Sequence, residues 1–188
     1  MRRVAITGLG AISALGLNSD ATFTNACAGR CGIGPLTIAD RDPYPHELRQ
    51  TVAGQINDFD PAVAYPDTDQ EAFYDRSSQL CMAAAHEAVA DSALTFEGEL
   101  ARRTAVITGT GVGGITATDD GFWRFYFEKR PRVHPLSVPR IMPSATAGHV
   151  SIAFGITGPA FTVTSACASA AHAIGEAYTM ILAGRADA

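Results

Sequence analysis

The sequence contains no G-x-x-x-x-G-K stretch, which excludes a phosphate-binding loop of that kind. It has no apolar run reaching the about 18 residues that a membrane helix needs. Positive charge is in deficit: 14 Lys and Arg against 19 Asp and Glu leave a net charge of −5, which argues against a nucleic-acid partner. Cysteine is sparse, at Cys27, Cys31, Cys81 and Cys167. Cys27 and Cys31 lie four apart with no second pair, and no His pair has H-x-x-x-H spacing, so no metal is expected. Cys81, inside an alanine-rich helical run, reads as core filler. Unpaired thiols in this number suit a reducing cytoplasm.

What is present is enough for one domain with a real core: 188 residues, 47% hydrophobic, 18% charged, with 18 glycines. The start, "MRRVAITGLGAISALGL", imitates a signal peptide, with two arginines before an apolar run. "RVAIT" is nevertheless β-branched and stops at Gly8-Leu9-Gly10, which predicts a buried strand over Arg3 to Thr7. A helix is predicted over Ser19 to Ala28, capped by Asn18 or Ser19 and ended by Gly29. Residues 32–70 read as loops and short strands. Asp75 to Ala93 reads as a long helix, with Leu80, Ala84 and Ala88 on one face and Met82, Ala85 and Val89 widening it. "TAVIT" (Thr104 to Thr108) and "AFTVT" (Ala160 to Thr164) read as short buried strands. Helices are predicted over Ala145 to Phe154 and from about Cys167 to Ala183. "GFWRFYFEKRPRVHPLSVPR" reads as a helix giving way to a loop. The order of elements predicts an α/β fold with a mixed or parallel sheet and helices on its faces. "ILAGRADA" resembles a helix end, a glycine cap and the first residues of a further strand.

Two stretches carry candidate chemistry. "GTGVGG" places Gly109, Gly111 and Gly114 in G-x-G-x-x-G spacing directly after a strand. A dinucleotide site would need a helix, a second strand and an acidic residue about 20 positions on. Asp119 and Asp120 come too early, so the glycines read instead as a tight connection or a thin channel wall. The second stretch is "TSACASAAHAIG", where a strand turns sharply into a helix near Cys167. A thiol there is either a small buried hydrophobe or a nucleophile favoured by the helix end. Small neighbours, Ala166 and Ala168, suit a crowded elbow that presents a nucleophile and an oxyanion-hole N–H. His172, five residues on, points about 140° away on a helix and is a poor base for Cys167. His46 and His134 flank prolines, and His86 and His149 read as structural.

"RRVAITGLGAIS", "GTGVGG", "MPSATAGHVSIAFGITGPAFTVTSACASAAHAIG" and "LAGRADA" resemble the β-ketoacyl-acyl-carrier-protein synthases, nearest to the ketoacyl synthase II type that includes the nodulation synthases. The resemblance weakens over residues 38–75. It implies a thiolase-like fold of layered α-β-α-β-α type in a dimer, with residues 1–188 as an N-terminal ketoacyl-synthase domain incomplete at its C-terminal end. It implies that Cys167 takes an acyl group from acyl carrier protein as a thioester, and that malonyl-carrier protein loses CO2 to give the carbanion that attacks it. No organic cofactor is implied. It places Val112, between Gly111 and Gly113, beside the nucleophile, where it limits how the acyl chain enters. The family's two histidines, its lysine and its second oxyanion-hole N–H come from a second half, and none of the five histidines here maps onto them. Many members are basic before the helix at 75, to meet an acidic carrier. Here only Arg76 is basic beside Asp67, Asp69, Glu71 and Asp75, and Arg124, Lys129, Arg130 and Arg132 offer a substitute. The competing expectations are a non-catalytic, chain-length-factor-like half of a ketosynthase heterodimer and a nucleotide-binding α/β protein. The retained Cys167 disfavours the former, and the missing acidic residue disfavours the latter.

Overall fold

A parallel pair of strands lies at the centre of the chain, in a computed structural model that describes residues 2–37, 49–65 and 74–188. Strand β3 (Val106–Gly109) pairs with β4 (Ala160–Val163) in the register Val106 to Ala160 through Gly109 to Val163. These are the cores of the predicted "TAVIT" and "AFTVT" strands. Helices α6 (Ala145–Ala153) and α7 (Ser169–Leu182) both pack on this pair. Strand side chains alternate between faces. Val106 enters the core shared with α6, and Gly109, three residues on, faces the start of α7.

Helix α2 (Arg76–Ser92) packs across α6. Asp75 caps it, accepting the Ser77 N–H at 2.9 Å, and Ala93 ends it in the left-handed region at φ +54°. The core joins Met82 and Ala83 of α2 to Ala147, Val150, Val106, Ile156, Phe59 and Ala64. The buried residues of α2 are therefore Ser78, Gln79, Met82 and Ala83: Met82 is buried as predicted, while Leu80, Ala84 and Ala88 of the predicted face are only half buried. The reason is the partner. Small residues on the predicted face admit the chain at Gly8 and Gly10, where an added side chain would strike the Ala88 and Ala84 carbonyls.

Helix α1 (Ser19–Cys27) begins where predicted, with the Asn18 side chain accepting the Ala21 N–H at 2.7 Å. Short strands β1 (Gly34–Pro35) and β2 (Val52–Ala53) form an antiparallel pair within the predicted loop region. The acidic approach at Asp67, Asp69 and Glu71, and His46, lie outside the described residues. A short helix, α3 (Gly98–Arg103), not among the predicted elements, precedes β3. Helix α4 (Ile115–Phe122) runs into a single π turn over Trp123–Phe127, and a further short helix, α5 (Ser137–Ile141), stands where the sequence predicted only loop.

The strand predicted over Arg3 to Thr7 is not formed, and Ile6 is 83% exposed. Just before β3, the Asp187 N–H donates to the Arg103 carbonyl at 2.7 Å, and the Ala105 N–H to the Ala188 carbonyl at 2.8 Å. Carboxylates of α2 hold the following residues instead. Asp91 accepts the Leu9 N–H at 2.9 Å, and Glu87 accepts from Ala11 and Ser19. No helix among the described residues is long and apolar enough to cross a membrane.

Candidate active site

Strand β4 delivers the chain to Ser165, and the backbone then reverses within one residue. Ala166 sits at φ +45°, in the left-handed region that an L residue enters only at a cost of about 1–2 kcal/mol. A 3-10 turn over Ala166–Ala168 follows, with Cys167 at its centre and exposed. The α-helix predicted to start near Cys167 starts at Ser169, because a left-handed Ala166 cannot continue into α geometry without an intervening turn. In this chain Cys167 is not buried, as the core-hydrophobe account would have it. Cys81 fits that account better: it is half buried in α2, and burial pushes its thiol pKa up.

The glycine run is a tight connection from β3 into α4, as expected, and it lies on the Cys167 turn. A Cβ on Gly109 would fall 2.5 Å from the Ser169 carbonyl carbon and oxygen, so only glycine lets β3 approach the start of α7. A Cβ on Gly111 would lie 3.6 Å from the Ala166 Cα, an ordinary contact. Gly113 has φ +94° and packs against Pro143. Val112 stands between them, 63% exposed. Paired hydroxyls of Thr108 and Thr162, 2.7 Å apart, cross-link β3 to β4, and Thr162 also donates to the Pro143 carbonyl at 3.3 Å. After α4 the chain passes to α5 rather than to a second strand, so no Rossmann unit is built around these glycines.

Three of the described histidines, His86, His134 and His149, are engaged away from this turn. His134 Nδ1 accepts the Leu136 N–H at 3.1 Å, and His86 meets Phe154 edge-on. His149 lies edge-on to Tyr74, which stacks on Tyr65 at 4.1 Å, and burial lowers its pKa. His172 lines a groove beside β4 with Phe161, Val163 and Glu176. Three of the four predicted basic residues gather: Arg124, Arg130 and Arg132 line one pocket with His134 and Asp120. An apolar cavity of about 350 Å³ lies next to it, walled by Phe122, Phe125, Tyr126, Val133 and Ile141. Val112 is not among the residues lining that cavity.

Two polar residues went unread in the sequence as site-builders. Asp75 is 1% exposed, and its second carboxylate oxygen accepts the Ala117 N–H at 2.7 Å, fixing the first turn of α4 to α2. Ser169 is 2% exposed and bonds within the Cys167 turn. An aspartate just before a long helix is a readable cap. A lone serine among alanines carries no comparable signal.

A strand, a left-handed turn bearing an exposed cysteine, and a glycine connection laid over that turn thus meet at one place in the fold. The model of the family described as "Beta-ketoacyl synthase, N-terminal domain" matches residues 1–188, and the chain belongs to this family. It is 37% identical over 188 residues to Nodulation protein E of a Rhizobium species, across 99% of this chain and 45% of that protein. It is 35% identical over 187 residues to 3-oxoacyl-acyl-carrier-protein synthase 2 of Staphylococcus aureus, across 100% of this chain and 44% of that protein. Among solved structures it matches the ishigamide ketosynthase/chain length factor with a TM-score of 0.82 and 28% identity, over 96% of this chain and 44% of that one. It also matches a beta-ketoacyl synthase from Burkholderia phymatum with a TM-score of 0.80 and 27% identity, over 99% of this chain and 45% of that one. The fold is thus the thiolase-like fold of the ketosynthases. The chain spans about half the length of the curated relatives it matches.

Proposed function

We propose that this chain supplies the nucleophile of a β-ketoacyl-acyl-carrier-protein synthase in fatty-acid or related acyl or polyketide synthesis, with Cys167 as the acyl acceptor. The observation that carries the reading is the exposed Cys167 on a left-handed turn between β4 and α7, in a chain of this family. The thiolate sulfur attacks the carbonyl carbon of an acyl-carrier thioester. The C–S bond to the carrier breaks, and the carrier leaves as a thiol, taking up the proton that Cys167 gave up. Malonyl-carrier protein then loses CO2, and the resulting carbanion forms a C–C bond to the acyl carbon while the Cys167 sulfur leaves. Splitting one condensation into two steps is the usual gain of covalent catalysis.

Other roles belong to the same proposal. Gly111 and Gly113 hold Val112 against the turn, and Val112 controls how an acyl chain reaches the sulfur. The carrier docks through Arg124, Arg130 and Arg132, since an acidic partner needs a cationic surface on a chain of net charge −5. The fold completes to the layered α-β-α-β-α form in the cytoplasm, as a pair of ketosynthase-type subunits. Residues 1–188 alone do not condense, because nothing on the Cys167 turn polarises a malonyl thioester.

The test is Cys167→Ala against the unaltered chain, each mixed with an acyl-carrier thioester and mapped by peptide mass. An acyl adduct at Cys167 that vanishes in the variant, with melting unchanged, is the expected result. An adduct at Cys27 or Cys31 instead, or none, would sink the nucleophile reading. A second reading, a non-catalytic half of a heterodimer, is supported by the likeness to a structure titled as a ketosynthase/chain length factor. It predicts no adduct in the chain alone or with its partner.

A further inference from the structure

The geometry of the Cys167 turn depends on a side chain that does not itself reach the reacting atoms. Ser169 is buried, while Ala166, Cys167 and Ala168 around it are exposed. Its hydroxyl has one proton to give and lone pairs to receive. It donates to the Ala166 carbonyl at 2.7 Å and accepts the Ser165 N–H at 2.8 Å. These two backbone groups flank Ala166, the residue at φ +45°. The Ala168 N–H donates to the Ser165 carbonyl at 2.9 Å and closes the same turn. An L residue stays in the left-handed region only where its surroundings over-determine it. Ser169 is fixed in turn, because Gly109 of β3 lies directly against its carbonyl.

We propose that Ser169 is a positioning residue: its hydroxyl braces the strained Ala166 turn and so sets the direction in which Cys167 presents its sulfur. The inference rests on the reading of Cys167 as acyl acceptor. Removing the hydroxyl strands the Ser165 N–H and frees Ala166 to relax toward ordinary φ, which swings the Cα–Cβ bond of the next residue. Acyl transfer needs the sulfur aimed at a carbonyl carbon whose oxygen meets an N–H. Alkylation of an exposed thiol by a small haloamide has no such demand. The two reactions therefore separate aim from exposure.

The experiment compares the full chain with Ser169→Ala, Ser169→Thr and Ser169→Val. Each is treated with octanoyl-N-acetylcysteamine and, separately, with iodoacetamide, and adducts are mapped by mass with Cys27 and Cys31 as internal references. In Ser169→Ala, acyl transfer to Cys167 is expected to fall about 100-fold, the size of loss that an ångström of misplacement causes. Alkylation at Cys167 stays within about threefold. Thr and Val have the same shape, so the Thr variant, which keeps a hydroxyl, should transfer acyl groups at least tenfold faster than the Val variant; this pair decides if Ser169→Ala fails to fold. Equal transfer rates for Thr and Val, or a parallel fall in acylation and alkylation, would overturn the positioning role alone. An unaltered chain that acylates Cys27 or Cys31 but not Cys167 would overturn the nucleophile reading instead.

Discussion

Gly109→Ala offers a direct measure of how tightly the strand presses on the turn that carries Cys167. The added Cβ would meet the Ser169 carbonyl carbon and oxygen at 2.5 Å and the Ala170 nitrogen at 2.7 Å, where ordinary contact begins at 3.4 Å. All three are backbone atoms, and none can swing aside as a side-chain tip could. About 1 Å must open between β3 and α7, two elements already bound to β4. Overpacking of this sort costs about 1–3 kcal/mol, and the rigid backbone on both sides places this site at the upper end. For a chain of this size about 3 kcal/mol corresponds to a fall of about 6–12 °C in Tm. Gly111→Ala is the internal control. Its Cβ would sit 3.6 Å from the Ala166 Cα, so its effect should stay within about 0.5 kcal/mol, as for an unstrained surface change. Thermal unfolding by circular dichroism reads both. Gly109→Ala melting with the unaltered chain, or Gly111→Ala losing as much as Gly109→Ala, would show that the contact is not the one described.

Val112→Phe should slow acylation of Cys167 more for long primers than for acetyl; an equal loss at every primer length would leave Val112 only a packing role. Arg103 holds the Asp187 carboxyl down to about 2 from an ordinary 3.8 by its hydrogen bonds, with Arg2 adding to the effect. A depressed folded pKa means the unfolded chain takes up the proton first, so this contribution is present above pH 4 and is lost as pH falls from about 4 toward 2. Asp187→Asn should therefore flatten the acid limb of a urea-midpoint profile, and an unchanged limb would refute the link. Glu87, whose desolvation is outweighed by hydrogen bonds from Ser19 and Ala11, is also depressed and should leave a residual slope. Replacing Arg130 and Arg132 by Glu should weaken carrier binding at least tenfold and remove its salt dependence; retained affinity would move the docking surface elsewhere.

Much of the site was legible because its signals are local. "GTGVGG" after "TAVIT" announces a strand meeting a turn, and Gly109 through Gly114 form that connection. Asn18 and Gly29 mark helix ends because a cap needs only its own neighbours. The place of Cys167 between a strand and a helix was also readable, although its exposure and its 3-10 turn were not. Nothing in "SACAS" shows that Ala166 must turn left-handed, since that is imposed by Ser169 within the turn and by β3 beneath it.

The sequence by itself determined which segments are strand-like and helix-like, and which cysteine stands at their junction. Those properties follow from side-chain chemistry within a few residues. Tertiary structure alone decided the rest. It turned α2 so that Ser78, Gln79 and Ala83 join the predicted Met82 in the buried face while Leu80 is only partly buried, because Gly8 and Gly10 bring the backbone against the small-residue face. It left Arg3 to Thr7 outside the sheet, with Ile6 exposed. It gathered Arg124, Arg130 and Arg132 at one pocket, where the chain after the π turn comes back to α4 and α5 packs on that helix. Each of these depends on how distant segments meet, a geometry that no local pattern encodes.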